Sequence, residues 1–198
     1  MLDNLKGYDI ILLSGSPRRR ELLAQLGLPF TVGRSDIEET YPESLQRHEI
    51  PVYLSRLKAG SYADMKENSL VITADTIVWC DGSVLGKPSD NAEAHAMLEK
   101  LSGREHAVIT GVTLQTSYQT ASFYAETAVT FAELTPEEID YYIETFHPLD
   151  KAGAYGIQEW IGYIGVTSIN GSYYNVMGLP VQRIYEELVT KFGVRFDD

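Results

Sequence analysis

The stretch from Ile10 to Leu23 constrains the fold most, because it predicts a strand, a tight turn and a helix in immediate succession. Residues 10–13 are four consecutive apolar residues, which is typical of a short buried strand. Ser16 is placed to cap the helix that follows, and Pro17 suits the first helical position. The buried face of this helix would be formed by Leu22, Leu23 and Leu26, before Gly27 ends it.

The charge at the start of this helix is unusual. The positive end of a helix dipole favours Asp or Glu, yet residues 18–20 are all arginine, and each misplaced cation costs roughly 0.3–1 kcal/mol unless something compensates. Backbone N–H groups, a small-residue turn beginning at Ser14 and guanidinium groups together suit a bound anion such as phosphate. We therefore expect Arg18 and Arg19 to bind an anion and Arg20 to point into water.

The net charge and the length of the chain limit the classes of function that it can have. The 198 residues include 28 Asp and Glu against 16 Lys and Arg, which gives a formal net charge of −12. This charge disfavours a nucleic-acid polymer as the main partner, because binding a phosphate backbone needs a broad basic face. A small phosphorylated ligand needs only a local pocket, and the carboxylates are compatible with a divalent cation. The length suits one domain or two closely packed lobes, and we expect a single domain over residues 1–198.

The cysteine content and the hydropathy of the chain indicate the cellular compartment in which the protein resides. Cys80 is the only cysteine, so an intrachain disulfide is impossible and a reducing cytoplasm is the simplest location. The longest apolar runs are too short to span a membrane, and the N-terminus lacks the pattern of a signal peptide. We therefore expect a cytoplasmic protein that makes no use of a membrane.

The strongest strand pattern covers residues 70–80, and Asp81-Gly82 after it predicts a hairpin with a type I′ turn. Asp75 interrupts this apolar run, and an unpaired buried carboxylate is costly, so a partner is expected. One interpretation is a hydrogen bond from a neighbouring threonine or backbone N–H. The other, which we favour, makes Asp75 a metal ligand or general base.

Two lysines are candidate phosphate ligands. Lys58 lies at the edge of the apolar face of a helix predicted from Pro51 to about Lys66. Most such lysines extend to solvent, whereas one aimed at a cleft would hold a phosphate. Lys87 follows the predicted hairpin, and ideal pairing places it opposite Thr76.

Other segments are less distinctive. The acidic cluster of residues 36–39 is, by itself, better explained as a solvated loop than as a source of metal ligands. Thr135 begins a predicted capping box, and Asn170-Gly171 predicts a second hairpin whose return strand covers residues 173–176. A final amphipathic helix is predicted over residues 179–192, with Gly193 ending it.

The segment from Asp150 to Trp160 combines glycines with polar side chains. Gly153 and Gly156 would let the backbone approach another group closely. Gln158 offers both a donor and an acceptor, which is the combination needed to bind the edge of a nucleotide base. Alone this pattern is a weak signal, because a glycine-rich loop is often only a turn.

Taken in order, these motifs resemble the Maf family of nucleoside triphosphate pyrophosphatases. The resemblance covers nearly the whole chain and rests on SGSPRRRELLAQLG (14–27), ADTIV (74–78), LGKP (85–88), LSGR (101–104), PLDKAGAYGIQ (148–158) and INGSYYNVMGLP (169–180). It implies a two-lobed α/β protein of the Maf/ITPase-like fold, with an elongated mixed central sheet flanked by helices and a cleft between lobes. It also implies a cytoplasmic enzyme, often a homodimer, that uses Mg²⁺ or Mn²⁺ to cut a nucleoside triphosphate between its α- and β-phosphates.

The resemblance also assigns residues. Asp75 matches the family's proton acceptor and metal-linked carboxylate, and Glu38 resembles the further acidic group near the metal, which overrides the solvated-loop interpretation of that residue. The substrate-binding and specificity positions are matched by Ser14, Arg18, Arg19, Lys58, Thr76, Lys87 and Gln158.

The AGAYGIQ form resembles the branch that acts on dTTP and UTP, whereas a branch that acts on methylated GTP carries Glu near this position. The sequence departs from the family pattern after Gln158, where Trp160 would either stack on the base or pack in the core. Two other classes of function stay open. One is a non-catalytic nucleotide-binding regulator linked to septum formation in cell division, and the other is a different phosphate-handling enzyme such as a phosphatase or nucleotidyltransferase.

Overall fold

The computed structural model describes residues 5–192. Within this range the chain forms two compact units. Unit 1 takes residues 5–75, 110–125 and 178–192, and unit 2 takes Thr76–Ile109 and Glu126–Met177. The first boundary, after Asp75, falls inside a strand, so that strand contributes residues to both units.

Seven strands among the described residues form one mixed sheet. They are β1 (Asp9–Leu13), β2 (Thr31–Gly33), β3 (Ser69–Cys80), β4 (Ser83–Leu85), β5 (Glu105–Gln115), β6 (Thr120–Phe131) and β7 (Val166–Asn170). The order across the sheet is β2-β1-β3-β5-β6-β7, and β4 pairs with β3 outside this path. β1 is parallel to β2 and β3, whereas the β3–β4 and β6–β7 pairs are antiparallel. The expected mixed sheet is confirmed.

The helices of the described range accompany this sheet. They are α1 (Pro17–Ala24), α2 (Glu49–Gly60), α3 (Asn91–Leu101), α4 (Pro136–Phe146), α5 (Trp160–Gly165), α6 (Tyr173–Val176) and α7 (Val181–Lys191), with 3-10 turns at Pro148–Asp150 and Ala152–Ala154. The longest of them, α2, has 12 residues. No helix within residues 5–192 combines the length and the apolar character that a membrane crossing requires.

Each unit buries apolar side chains of its own. In unit 1, Ile11 and Leu13 of β1 cluster with Val71 of β3. In unit 2, a larger cluster includes Leu98 and Tyr142, both fully buried. Burial of this kind is the main favourable term in the stability of each unit.

The predicted start of the first helix is confirmed in detail. Ser16 caps α1 and its hydroxyl accepts the backbone N–H of Arg19, while Pro17 occupies the first position. The first turn carries no acidic residue. The helix ends at Ala24, and the turn after it includes Gly27 at φ +71°, a conformation that glycine adopts without strain.

The turn chemistry of two other segments is confirmed as well. Asp81 and Gly82 have φ values of 49° and 75°, as a type I′ turn between β3 and β4 requires. Thr135 and Glu138 form a complete capping box at the start of α4. In both cases the local sequence decides the local structure.

The second predicted hairpin is wrong, because residues after Gly171 form α6 instead of a strand. The Ser172 hydroxyl caps this helix by accepting the N–H of Asn175, which is fully buried. The Asn175 amide then donates to Val108 O and to Thr127 Oγ1, both at 3.0 Å. These buried contacts come from residues distant in sequence, so the Asn-Gly signal could not reveal them.

The helix predicted from Pro51 to about Lys66 is also shorter at its end. α2 begins at Glu49 and stops at Gly60, where Ser61 donates its hydroxyl to Lys58 O at 2.8 Å. Lys58 therefore lies in the last turn of α2. The predicted end of the final helix at Gly193 lies outside the described residues.

Candidate active site

The predicted carboxylate occupies a buried position on β3. Every residue of β3 from Ser69 to Asp75 is buried, and Asp75 is 6% exposed. Lys58 Nζ donates to Asp75 Oδ1 at 2.6 Å. The Thr73 hydroxyl donates elsewhere, to Ser55 O at 2.7 Å. A partner for Asp75 was expected, and the structure supplies the Lys58 ammonium group, which the sequence did not indicate. The two opposite charges offset each other's desolvation.

Lys58 joins Asp75 to a second carboxylate. Its side chain is buried, and Nζ also lies 2.7 Å from Glu39 Oε1. The two carboxylates differ in environment, since the Asp75 side chain is 9% exposed and that of Glu39 is 42% exposed. A single ammonium group thus connects a buried acid to one that solvent and ligands can reach.

The packing of α2 explains why Lys58 reaches this position. A Cβ on Gly111 of β5 would lie 2.3 Å from the carbonyl carbon of Pro51, so only glycine lets the first turn of α2 come this close. One turn further along, Ser55 contacts the Thr113 hydroxyl of β5 at 2.9 Å. With α2 held in this way, its last turn brings Lys58 to β3.

Arg19 of α1 lies beside the same carboxylate. Its Nη1 donates to Ala74 O at 2.7 Å and its Nε donates to Gly178 O at 2.8 Å. Desolvation by burial lowers the pKa of the Arg19 guanidinium, and the negative charges of Asp75 and Glu39 act in the opposite direction. The early cationic helix and the embedded acid are thus brought together within unit 1.

The turn before α1 is ordered by its serines. Ser14 is buried, and its Oγ accepts the N–H of Ser16 at 3.2 Å. Arg18 is half-buried, and its charge helps to lower the pKa of Arg19. Arg20 is exposed, as expected. Anion binding by Arg18 and Arg19 stays a prediction.

Two candidate residues of unit 2 lie on or after the hairpin. Thr76 is half-buried on β3, and Lys87 is exposed. The β3–β4 ladder ends at Leu85, so the ideal pairing of Lys87 with Thr76 does not form. Directly after the ladder, the Gly86 carbonyl accepts the N–H of Gly153 at 3.0 Å.

Gln158 lies in a turn of unit 2. Glu159 N–H donates to Gly156 O at 2.9 Å, which closes a four-residue turn with Gln158 at its third position. The Gln158 side chain is half-buried, yet its Oε1 is inaccessible to water and finds no hydrogen-bond partner within residues 5–192. Trp160 packs edge-on against Tyr141, with ring centroids 4.9 Å apart.

The family model described as Maf-like protein matches residues 9–191. The chain belongs to the Maf family. That match extends from β1 to the last residue of α7 and so includes every candidate residue named above.

Individual Maf relatives resemble the chain over nearly its full length. A dTTP/UTP pyrophosphatase from Phocaeicola vulgatus is 60% identical over 95% of this chain and 98% of its own. Proteins of the same name from Parabacteroides distasonis and Porphyromonas gingivalis are 56% and 54% identical over 95% of this chain, and over 98% and 96% of their own. The solved structure of a HAM1 protein from Coxiella burnetii aligns with 64% of this chain and 74% of its own, at 18% identity and a TM-score of 0.45.

The residues of this Maf chain fit a divalent cation. Asp75 and Glu39 already share one cation, the Lys58 ammonium group, and the neighbouring Glu38 is exposed. Within residues 5–192 no group of three or more His, Cys, Asp or Glu side chains could hold a metal ion. One or two carboxylates are what Mg²⁺ takes in nucleotide sites, where phosphates and water complete its shell.

Reasoning from the sequence missed three residues around these groups. Glu39 shares the Lys58 ammonium group with Asp75, and in an acidic cluster nothing local distinguishes it from the adjacent Glu38. Tyr142 forms hydrogen bonds to Gly156 and Glu159, the first and last residues of the turn that carries Gln158. The only signal for Tyr142 and Glu159 is that both are polar groups in a buried region, which requires a partner.

Proposed function

We propose that this Maf protein is a nucleoside triphosphate pyrophosphatase that hydrolyses dTTP and UTP to the monophosphate and pyrophosphate. The observation that carries the proposal is the buried Asp75 carboxylate held by Lys58 and flanked by Arg19. An acid surrounded by cations suits proton transfer beside a polyanionic substrate. The substrate assignment is supported by the relatives named dTTP/UTP pyrophosphatase, at 54–60% identity over 95% of the chain.

In the proposed reaction Asp75 takes a proton from the water that attacks the α-phosphorus. The bond from that phosphorus to the oxygen bridging to the β-phosphate breaks, and pyrophosphate leaves. Lys58 must move from Asp75 to a phosphate for the carboxylate to accept the proton. A divalent cation, Mg²⁺ or Mn²⁺, held by Asp75 and Glu38, supplies further charge neutralisation on the phosphates when bound.

The cationic residues bind and orient the triphosphate. We assign this role to Arg18, Arg19, Lys58 and Lys87, with Ser14 shaping the turn before α1 and Lys87 on the leaving pyrophosphate. Most of the rate acceleration then comes from positioning and from stabilising negative charge.

Three residues choose the base in this proposal: Arg18, Thr76 and Gln158. An amide presents N–H to O4 of thymine or uracil and C=O to N3–H. The Gln158 amide has an acceptor that no described residue engages, since Oε1 finds no hydrogen-bond partner within residues 5–192.

The test is product analysis with purified protein. Canonical and modified triphosphates are incubated with Mg²⁺ or Mn²⁺ and separated by chromatography, and we expect dTTP and UTP to yield monophosphate and pyrophosphate. A β,γ-imido analogue should be cleaved, while an α,β-methylene analogue should resist. Orthophosphate as the first product would contradict the proposal and indicate a phosphatase. Tight nucleotide binding without metal-dependent turnover would instead favour the regulator linked to cell division.

Location and assembly complete the proposal. We place the enzyme in the cytoplasm, where its nucleotide substrates are, and propose that it is a homodimer without a nucleic-acid or membrane partner. Light scattering coupled to size-exclusion chromatography measures the mass directly, and a mass of one chain would contradict the dimer.

A further inference from the structure

We infer that Gly153 is a positioning residue that fixes the backbone of Lys87, so that this lysine is in place for the leaving pyrophosphate. The inference rests on the proposed function, which assigns Lys87 to that leaving group. It concerns unit 2 alone, since both residues belong to that unit. Gly153 has no side chain that could bind a substrate, and its contribution therefore acts through another residue.

One backbone hydrogen bond joins the two segments where the β3–β4 ladder ends. The last pair of that ladder is Val78 with Leu85, and both side chains are buried. The next residue is Gly86, whose carbonyl accepts the Gly153 N–H at 3.0 Å. This carbonyl and the Lys87 nitrogen belong to the same planar peptide group. The hydrogen bond from Gly153 therefore fixes the peptide plane from which Lys87 extends.

The backbone on the other side of Lys87 is fixed as well. Pro88 is buried, and a residue before proline is restricted towards extended backbone. Asp90 caps α3 by accepting the N–H of Glu93 at 2.8 Å. The Ser89 N–H and hydroxyl both donate to Glu93 Oε2 at 2.7 Å. Lys87 is thus an exposed side chain on a backbone that is held before and after it.

The position of the donor requires glycine. Gly153 has a φ of +67°, a left-handed conformation that residues with a side chain rarely adopt. A Cβ on Gly153 would lie 2.8 Å from Val78 Cγ2, which is closer than side-chain carbon atoms approach. The next residue, Ala154, is fully buried and also has a positive φ, of 58°. Such a backbone persists only where the surrounding structure holds it, and strain of this kind concentrates at functional sites.

A lysine that stabilises a leaving group is most effective when it is already in position. Displacing a catalytic group by about 1 Å can cost roughly 10²-fold in rate. The four methylene groups of a lysine side chain can compensate for part of a backbone shift, so the expected loss is smaller. Because the charge on the leaving pyrophosphate develops in the transition state, the loss should fall mainly on kcat.

The experiment measures kcat and KM of the full chain for dTTP with Mg²⁺, with circular dichroism to verify folding. For Gly153→Ala we expect kcat to fall by roughly tenfold with little change in KM. Gly103→Ala is the matched control, since Gly103 also lies in unit 2, has a φ of +66° and donates its N–H to Ala132 O at 2.9 Å. This control introduces comparable backbone strain away from Lys87 and should leave kcat unchanged.

A double-mutant cycle decides whether Gly153 acts through Lys87. Lys87→Ala should lower kcat more than Gly153→Ala does. Adding Gly153→Ala to Lys87→Ala should then have little further effect, because the side chain that would be misplaced is already absent. If the two losses multiply instead, the glycine has a merely structural role and the inference is overturned. An unchanged kcat in Gly153→Ala overturns it too, while the proposed function stands.

Two other results would trace a failure to the proposed function. If Lys87→Ala keeps full turnover, the role assigned to Lys87 fails and the inference fails with it, although pyrophosphate release by the wild-type protein stands. If the wild-type protein releases no pyrophosphate, the proposed function itself fails. Should Gly153→Ala not fold, Val78→Ala is added to make room for the new methyl group, and the same cycle is measured with Val78→Ala as the reference.

Discussion

A buried lysine between two carboxylates occurs in each unit of the molecule. Lys58 in unit 1 is 8% exposed and Lys151 in unit 2 is 7% exposed. By residue type and burial the two clusters are nearly equivalent. They differ in what else holds the carboxylates, and that difference fits the chemistry proposed for the first cluster and a structural role for the second.

In unit 1 the lysine is what satisfies the buried acid. The side chain of Asp75 receives its hydrogen bond from Lys58, at 2.6 Å. In the proposed mechanism a polyanionic ligand draws the ammonium group away, and the carboxylate then becomes available to a metal ion or a water proton.

In unit 2 the corresponding acid is held twice. Glu159 contacts Lys151 at 3.2 Å and also accepts the hydroxyl of Tyr142. Asp150, the other partner of Lys151, is 59% exposed in its side chain and is therefore well solvated. Glu159 keeps a partner when one of these contacts is lost. The cluster is therefore suited to stabilising a turn and less suited to a chemical step.

The largest difference in turnover between the two clusters is expected when one carboxylate of each is removed. Asp75→Asn keeps the size of the side chain but removes the proton acceptor, and turnover of dTTP should fall by roughly 10²–10⁴. Asp150→Asn, on the exposed side of the other cluster, should leave turnover within a few-fold of wild type. Pyrophosphate release measures both, with circular dichroism to verify folding. A folded Asp75→Asn protein with normal turnover would rule out its assignment.

Replacing Lys58 or Lys151 tests the comparison of the two clusters by its effect on the free energy of unfolding. Lys58→Met leaves Asp75 buried without its cation, and we expect the free energy of unfolding to fall by about 3–5 kcal/mol. Lys151→Met leaves Glu159 its tyrosine hydroxyl, and a loss of about 1–3 kcal/mol is expected. Denaturant unfolding measures both values.

The lysine variants should also respond differently to metal. Because Lys58→Met removes the ammonium group that competes for the carboxylates, added Mn²⁺ should raise the Tm of this variant more than that of wild type or Lys151→Met. Equal shifts for all three proteins would show that Lys58 does not occupy the position of a cation.

Substitutions of the adjacent residues Glu38 and Glu39 test which of them belongs to a metal site in the first cluster. Glu38 carries the proposed metal role, whereas the carboxylate of Glu39 is engaged by Lys58. We expect Glu38→Gln to raise the Mg²⁺ concentration needed for half-maximal turnover severalfold. Glu39→Gln should mainly lower stability, by up to about 1 kcal/mol, because this partner is largely exposed. The reverse result would transfer the metal role to Glu39.

The last expected effect appears only in acid and concerns the second unit. His106 is buried against Tyr155, and desolvation lowers its pKa from 6.5 to about 4. The unfolded chain therefore binds an extra proton between pH 6.5 and pH 4, so stability falls as the pH falls through this window. The contribution is about 3 kcal/mol in total. His106→Gln should remove that part of the slope of unfolding free energy against pH, and an unchanged slope would contradict the assignment.

Much of the local structure was predictable because short-range chemistry decides it. Ser16 with Pro17, Asp81 with Gly82, and the capping box at Thr135 each contain within a few residues the groups that satisfy the backbone. The Asn170-Gly171 hairpin fails for the opposite reason. There the deciding contacts of Asn175 involve Val108 and Thr127, which lie far away in the chain.

The sequence by itself determined that an acid interrupts the central strand and that arginines crowd an early helix start, because a buried charge and an unfavourable dipole are visible in residue types alone. Only the tertiary structure decided which groups neutralise that acid. Lys58 and Arg19 reach it because α2 packs against Gly111 and because Arg19 finds backbone carbonyl groups, Ala74 O among them. Pairing between distant side chains depends on the packing of backbones to within an ångström, and no local pattern encodes that distance.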